Sequence, residues 1–315
     1  MDIVIAVAGL VILLVGGDML VRGAVALSLR MNVPAFIVAL TVVAFGTSAP
    51  ELLIGVNAAL NGLPGIAVGN VVGSNIANIL LVLGVPAIIS GIPTSGSGCN
   101  RNYVQMVGAS FLLIALCWLG PLHFWHAAVL LVLFGLMIFD MVRSAREHPG
   151  EVEQELGDMN HIIPLPKTLA YLVAGIVGLP LGAHLLIVGA TEIAVHFGIS
   201  DSVIGLTMVA IGTSLPELAT TTMAAIRKQA DVVIGNVLGS NLFNILSILG
   251  VTSLFGPIDI APEFLDRDLW VMLVCALILG PFVVRGIRIG RRAGIAFLVA
   301  YVGYMVVLFQ QGSVA

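Results

Sequence analysis

The sequence predicts an all-α, polytopic membrane protein with ten transmembrane helices, arranged as two inverted five-helix repeats. Three features indicate this fold class: the composition, the apolar runs and an internal duplication. Of the 315 residues, 59% are hydrophobic and 10% are charged, which is typical of membrane proteins. Apolar runs repeatedly reach the ~20 residues that cross a bilayer as a helix. The formal net charge of -4 and the lack of basic stretches argue against a nucleic acid partner.

The apolar runs define the spans, and one polar stretch divides them into two groups. The predicted spans lie near residues 3–29, 34–60, 65–90, 104–120, 123–142, 168–196, 202–226, 231–254, 269–285 and 293–310. The polar stretch, 143–167, is rich in charge and proline and is too short to fold as a domain of its own. We therefore expect a first repeat at 1–142, a linker at 143–167 and a second repeat at 168–315. The first apolar run has no basic flank or cleavage site, so it is predicted to be a retained span rather than a signal peptide.

The distribution of Lys and Arg predicts the orientation in the membrane. If the N-terminus is outside, only Arg267 falls in an external loop, and Arg22 can snorkel toward the cytoplasmic surface. The other basic residues then lie in or beside cytoplasmic loops: Arg30, Arg101, Arg143, Arg146, Lys167, Arg227, Lys228, Arg285, Arg288, Arg291 and Arg292. We therefore expect a multi-pass protein of the cell membrane, with a cytoplasmic linker and both termini extracytoplasmic.

A duplication links the two halves of the chain. GTSAPEL at 46–52 recurs as GTSLPEL at 212–218, and GNVVGSNIANIL at 69–80 recurs as GNVLGSNLFNIL at 235–246. Both copies are offset by 166 residues, and 19 of 39 positions are identical between 46–84 and 212–250. Each half is therefore predicted to be one repeat, and an odd number of spans per repeat inverts the second copy. Inverted repeats are an architecture of secondary transporters that have a central binding site.

The GTSAPE motif places a proline and a glutamate inside an apolar span. Pro50 removes a backbone donor and Gly46 weakens the same helix, so the second span is predicted to be kinked or broken there. A break frees backbone carbonyls, which is tolerable in a membrane only where they line a polar cavity or bind an ion. The helical spacing of Ser74 and Asn78 places these two side chains on one helix face.

The two motif copies supply matched oxygen ligands near the middle of the bilayer. The candidate metal ligands are Thr47, Ser48, Glu51, Ser74 and Asn78 in the first half and Thr213, Ser214, Glu217, Ser240 and Asn244 in the second. An all-oxygen set suits hard cations such as Ca²⁺ and Na⁺, whereas zinc or copper would favour His and Cys. Because the two glutamates have no basic partner in the motifs, protons could take the place of absent cations. Asp18 and Arg22 have the i, i+4 spacing of a structural ion pair.

These motifs resemble those of the sodium/calcium exchanger family, whose two inverted repeats carry GTSxPE and GSNxxN. The resemblance covers both halves of the chain. It implies a ten-helix fold in which the second, third, seventh and eighth helices form the ion site, while long, tilted first and sixth helices slide as a gate. It also implies electrogenic exchange of several Na⁺ for one Ca²⁺, with Glu51 and Glu217 as bridging carboxylates. Some family members have Asp where this chain has Asn244, and the linker is far shorter than the regulatory loop of animal exchangers.

We therefore expect a secondary active antiporter that exchanges Na⁺ for Ca²⁺ by alternating access. A Ca²⁺/H⁺ antiporter that uses the same two glutamates remains an alternative. A passive channel would more typically be an oligomeric ring with one filter per chain. We expect no enzymatic activity, because the sequence has no His-containing metal motif and no nucleophile elbow. The expected partners are the ions and the bilayer, with no organic cofactor and no obligatory protein partner.

Overall fold

The structure, a computed structural model, describes residues 2–94, 99–147, 163–197 and 211–312. These residues are almost entirely helical, and their only β-type pairings are two isolated bridges, Ile92 with Ile289 and Leu122 with Ile258. In chain order the helices are α1 (Asp2–Met31), α2 (Ala35–Thr47), α3 (Ala49–Leu60), α4 (Pro64–Ile89), α5 (Cys99–Trp118), α6 (Phe124–Glu147), α7 (Leu165–His196), α8 (Leu215–Ile226), α9 (Ala230–Phe255), α10 (Phe264–Val284) and α11 (Arg291–Gly312).

The helices confirm a multi-pass membrane protein but leave the span count of ten a prediction. Within the described ranges, seven helices are long and apolar enough to cross a membrane, or eight if the bent pair α2 and α3 is one span. Helix α5 matches the predicted span at 104–120 but lies outside this group, since it begins with the polar stretch Asn100–Asn102. The predicted span at 202–226 is described only from residue 211 onward. The ends of the predicted linker are helical, since α6 extends to Glu147 and α7 begins at Leu165, and residues 148–162 lie outside the described part.

Helices α1 and α7 pack against each other in antiparallel directions at very short range. A Cβ added to Gly16 would lie 3.3 Å from the backbone nitrogen of Leu179, and one added to Gly182 would lie 2.7 Å from that of Leu13. Small residues let two membrane helices approach this closely. The two contacts correspond, because adding 166 to residue 16 and subtracting it from residue 179 gives residues 182 and 13.

The same correspondence holds along the rest of the α1–α7 interface. Each of the following contacts maps onto its partner when the offset of 166 residues is applied: Gly9 with Leu186 and Gly175 with Leu20; Gly23 with Leu172 and Gly189 with Ala6. The two long helices therefore meet across a glycine-rich interface whose contacts repeat in pairs.

Helices α4 and α9 form the centre of the bundle. Helix α9 is buried throughout its most apolar stretch and α4 is buried over most of it, whereas α1, α6 and α11 are largely exposed there. Gly235 and Gly239 allow α9 to lie directly on α2, because a Cβ on Gly235 would be 2.6 Å from the carbonyl oxygen of Phe36. Gly239 makes the equivalent contact with the carbonyl oxygen of Leu40. The counterparts of Phe36 and Leu40 in the second half lie outside the described residues.

An ion pair joins α1 to the end of α8. Arg22 Nε lies 2.9 Å from Asp18 Oδ2, which confirms the predicted i, i+4 pair. Arg227, just after α8, also donates to Asp18. The positions equivalent to Asp18 and Arg227 in the other half are His184 and Asn61, so that half cannot form the same ion pair. The connection between α1 and α8 is therefore one-sided.

Candidate cation site

The first motif forms the predicted break in the membrane helix. Helices α2 and α3 meet at an angle of 46°, and Ser48 lies between them with non-helical angles, φ -89 and ψ 7. Pro50 follows in the first turn of α3 and has no backbone N–H, so the carbonyl of Gly46 lacks its usual helical donor. Glu51 lies in the same turn.

The second motif has the same local form. Ser214 lies in a turn with φ -84 and ψ 0, Pro216 is in the first turn of α8, and Glu217 follows it. In both copies the proline therefore begins a new helix and places a glutamate in its first turn. The bend angle of the second copy depends on residues before 211, which lie outside the described part of the chain.

The two motif copies meet inside the bundle. Ser48 Oγ donates a hydrogen bond of 3.1 Å to Glu217 Oε1, although the two residues are 169 positions apart. Glu51 and Glu217 are each only 1% exposed. Ser48 lies three residues before Glu51, so the carboxyl group of Glu217 reaches the turn that carries Glu51. Neither glutamate forms an ion pair with a described basic residue.

Six of the predicted residues carry a buried side-chain oxygen that has no hydrogen-bond partner in the described structure. These atoms, here called the oxygen cluster, are Glu51 Oε2, Asn78 Oδ1, Ser214 Oγ, Glu217 Oε2, Ser240 Oγ and Asn244 Oδ1. Leaving a buried polar atom unpaired costs about 1–3 kcal/mol, and six such atoms would be a large penalty. A bound cation would remove that penalty, because it coordinates oxygen lone pairs that no donor occupies.

The ten predicted residues differ in their burial and in their hydrogen bonds. Nine of the ten are buried, and Thr213 is only partly buried. Thr47 Oγ1 donates to the carbonyl of Ala44 at 3.3 Å and to Asn236 Oδ1 at 3.4 Å. Ser74 is 4% exposed on α4. One direct hydrogen bond between predicted residues of the two halves runs from Ser48 to Glu217.

Sequence reasoning missed several asparagines that support the site. Asn70 Nδ2 donates to the main-chain carbonyl of Glu51 at 3.0 Å, and Asn236 accepts from Thr47. Asn244 Nδ2 donates to Asn75 Oδ1 at 3.3 Å. The duplication contained a signal for them, since Asn70 and Asn75 recur at the same 166-residue offset as Asn236 and Asn241.

Both central helices change their hydrogen-bonding pattern at the site. A π-helical segment covers Asn78–Val82 in α4, and another covers Phe243–Ile248 in α9. In α4 the N–H of Leu83 donates to the carbonyl of Asn78, five residues earlier, at 3.2 Å. Such segments are rare and occur frequently at functional sites. Here they coincide with the two asparagines of the oxygen cluster.

A buried, unpaired set of oxygen atoms inside a bundle of membrane helices is characteristic of a membrane protein that handles a hard cation. The family comparison is more specific. The family model described as sodium/calcium exchanger protein matches residues 1–142 and 167–310. The chain belongs to this family, whose members are cation antiporters.

Individual relatives match over nearly their whole length. The putative antiporter CaxA of Alkalimonas amylolytica is 35% identical, with 97% of this chain and 98% of that protein covered. The sodium/calcium exchanger MaX1 of Methanosarcina acetivorans is 31% identical, with 98% of each chain covered. A solved structure of the sodium-calcium exchanger NCX_Mj, soaked with zero Na⁺ and Ca²⁺, superposes with a TM-score of 0.84 at 34% identity and covers 98% of each chain.

Proposed function

We propose that this protein exchanges Na⁺ for Ca²⁺ across the membrane by alternating access to one site between its two halves. The observation that carries the proposal is the oxygen cluster together with two buried glutamates that have no basic partner among the described residues. The proposed ligands are Thr47, Ser48, Glu51, Ser74, Asn78, Thr213, Ser214, Glu217, Ser240 and Asn244. Sodium and calcium ions are both hard cations that oxygen ligands suit.

The relatives support the choice of ions. MaX1 is named a sodium/calcium exchanger, and structures of NCX_Mj were obtained after soaking with Na⁺ together with Ca²⁺ or Sr²⁺. Sr²⁺ is a larger alkaline-earth ion that also binds oxygen ligands. This chain carries two glutamates in the matched motif copies, so we propose that its site takes the same class of ions.

Obligatory exchange follows from the cost of moving an uncompensated charge. When the site is empty, two negative carboxylates lie in a region of low dielectric, and closing the protein around them is expensive. One Ca²⁺, or a set of Na⁺ ions, largely neutralises them. We propose that only the ion-filled forms pass between the inward-facing and outward-facing states. After one ion species is released on one side, the other must therefore bind on that side before the protein can return.

The movement itself is proposed to be made by the α1–α7 pair. These helices have 30 and 32 residues, more than the ~20 that a span requires, so they can tilt across the core. Their glycine contacts hold the two helices close together along their length. We propose that this tightly packed pair slides as one unit past the helices that hold the ions.

The paired contacts of α1 and α7 also support the proposed inverted repeat. An interface whose contacts correspond under an offset of 166 residues is expected when two halves are related by a two-fold axis in the membrane plane. We propose ten spans, with repeats at 1–142 and 168–315 and a cytoplasmic linker at 143–167. The Lys and Arg distribution favours both termini on the outside.

A Ca²⁺/H⁺ antiporter is the second candidate. The observation that favours it is the same pair of buried carboxyl groups, which have no basic partner among the described residues, since protons can neutralise them as well as Na⁺ can. Proteoliposomes separate the two candidates. In the first assay, vesicles are loaded with Na⁺ and diluted into Na⁺-free buffer at equal pH; in the second, a pH gradient is imposed without Na⁺. Uptake of ⁴⁵Ca²⁺ driven by the Na⁺ gradient alone supports the proposal, and uptake driven only by the pH gradient contradicts it.

The variants Glu51→Gln and Glu217→Gln test whether the site carries this flux. Each removes one carboxylate and keeps the shape of the side chain. Both are expected to lose Na⁺-driven ⁴⁵Ca²⁺ uptake. The matched control is Glu263→Gln, which makes the same chemical change at an exposed position before α10 and should transport normally. Normal transport by either site variant would contradict the assignment.

A further inference from the structure

A cavity with basic and apolar walls lies away from the cation site, where three loops meet. It has a volume of about 450 Å³ and lies between the loop after α4, the loop between α8 and α9, and the loop between α10 and α11. Its lining residues include Ser90, Gly91, Lys228, Ala230, Val233 and Arg288. Two of its lining residues are cations and none is acidic.

Lys228 has an unfavourable backbone conformation at the edge of this cavity. Its φ is 58, in the left-handed region, which disfavours residues other than glycine. The equivalent position in the first half, 166 residues earlier, is Gly62, which has φ 67. The second half therefore keeps a lysine at a turn where glycine would be easier. Strain of this kind is often found where a side chain has a function.

Arg288 lines the cavity from the loop between α10 and α11. Its guanidinium donates to the carbonyl oxygen of Ser90. Gly91, with φ 61, lets the chain turn next to it, and a Cβ on Gly91 would lie 2.5 Å from Arg288 Nε. One bond to a neutral carbonyl leaves most guanidinium donors available, because the group has five N–H donors. The structure describes no ion pair for Lys228 or Arg288.

Charged groups of both signs surround this cavity. Ala230 and Val233 belong to the first turn of α9, whose N-terminal end carries a partial positive charge, and Asp231 in the same turn is acidic but does not line the cavity. Arg227, next to Lys228, is paired with Asp18. The remaining lining residues are largely apolar, including Ile92 and Pro93. A ligand with an anionic group and an adjoining apolar part would match both kinds of wall.

We propose that this cavity binds the phosphate of an anionic lipid headgroup. Lys228 and Arg288 supply charge-assisted hydrogen bonds to the phosphate oxygens. The cavity lies at the ends of membrane helices, where lipid headgroups are found and where basic residues attract anionic lipids. The bound headgroup joins loops from both halves of the chain. The site is separate from the cation site and does not depend on which ions are exchanged.

The test measures thermal unfolding of the full-length protein in detergent at constant ionic strength. Three probes are titrated: short-chain phosphatidic acid, short-chain phosphatidylcholine and inorganic phosphate. Lys228→Gly takes the residue of the first repeat and is expected to fold, and Arg288→Gln removes the second cation. Arg285→Gln is the matched control, because Arg285 is also exposed after α10 but does not line the cavity.

We expect phosphatidic acid to raise the unfolding midpoint in a saturable way and phosphatidylcholine to leave it unchanged. Lys228→Gly and Arg288→Gln should each raise the half-saturating concentration by about tenfold or more, whereas Arg285→Gln should leave it nearly unchanged. An equal saturable shift with inorganic phosphate, lost in the same two variants, would overturn the lipid assignment and identify a soluble phosphate as the ligand. No shift, or equal weakening by Arg285→Gln, would overturn the site itself.

Discussion

Ser48 Oγ donates a hydrogen bond to Glu217 Oε1 at 3.1 Å, and this bond connects the two copies of the duplicated motif. The residue equivalent to Ser48 is Ser214, whose hydroxyl has no partner in the described structure. The site is therefore built from matched residues but is not symmetric in its bonding. A transporter that alternates between two states is expected to show such a difference, because in any one state its halves have different surroundings.

This asymmetry predicts that the same Ser→Ala substitution changes stability differently at the two equivalent positions. Ser48→Ala leaves Glu217 Oε1 without its donor and should destabilise the ion-free protein by about 1–3 kcal/mol. Ser214→Ala removes a hydroxyl that is already unpaired and should be close to neutral under the same conditions. Thermal unfolding in the presence of a chelator measures both. Equal destabilisation by the two variants would show that the bonding seen here does not describe the ion-free state.

Buried, uncompensated charge predicts an opposite effect on stability and on ion binding. Glu51→Gln and Glu217→Gln should each raise the unfolding midpoint of the chelator-treated protein, because a neutral side chain is cheaper to bury than a carboxylate without a cationic partner. The same variants should lose the rise in midpoint that Ca²⁺ causes in the unmodified protein. A variant that is less stable without ions yet retains the full Ca²⁺ response would contradict this account.

The close approach of α1 and α7 predicts that added volume there is harmful. In Gly182→Ala the new methyl group would lie 2.7 Å from the nitrogen of Leu13, so the helices must separate, at a cost of about 1–3 kcal/mol. Gly178→Ala is the matched control on the same helix, since its nearest neighbour would be 3.8 Å away. Unfolding midpoints and ⁴⁵Ca²⁺ flux should fall in the first variant and stay near normal in the second. Similar behaviour of both would rule out the tight interface.

The one-sided ion pair between Asp18 and Arg227 predicts a measurable coupling. A double-mutant cycle with Asp18→Asn and Arg227→Gln should give a coupling free energy of about 0.5–1 kcal/mol for unfolding. The value is small because both groups are partly exposed. The coupling should decrease as salt is raised. A cycle with Asp18→Asn and Arg22→Gln provides the comparison for a pair within one helix. A zero coupling for Asp18 and Arg227 at low salt would show that α1 is not held to α8 by this contact.

Much of the candidate site was predictable because its motifs occur twice in the sequence. A proline and a glutamate in an apolar span predict a kinked helix beside a polar site, and the structure has both the kink and a buried Glu51. The Asp18–Arg22 pair was predictable from helical spacing alone. These are local consequences of residue order, and the duplication made them specific.

Other features depend on tertiary packing and have no local signal. Arg227 is 209 residues from Asp18, so their contact could not be read from spacing. The π-helical segments at Asn78–Val82 and Phe243–Ile248 change the bonding register without a distinctive residue pattern. The supporting role of Asn70 depends on its reach to the carbonyl of Glu51 in a different helix. For these features the sequence shows which residues are present, and the packing of the helices decides which of them are in contact.

The most direct test of the central claim is the stoichiometry of ⁴⁵Ca²⁺ bound at equilibrium to the purified protein without Na⁺. If Glu51 and Glu217 form one shared site, the unmodified chain binds one Ca²⁺, and Glu51→Gln or Glu217→Gln alone abolishes that binding. Two Ca²⁺ per chain, with one retained in each single variant, would mean that the halves bind ions separately and would contradict the account.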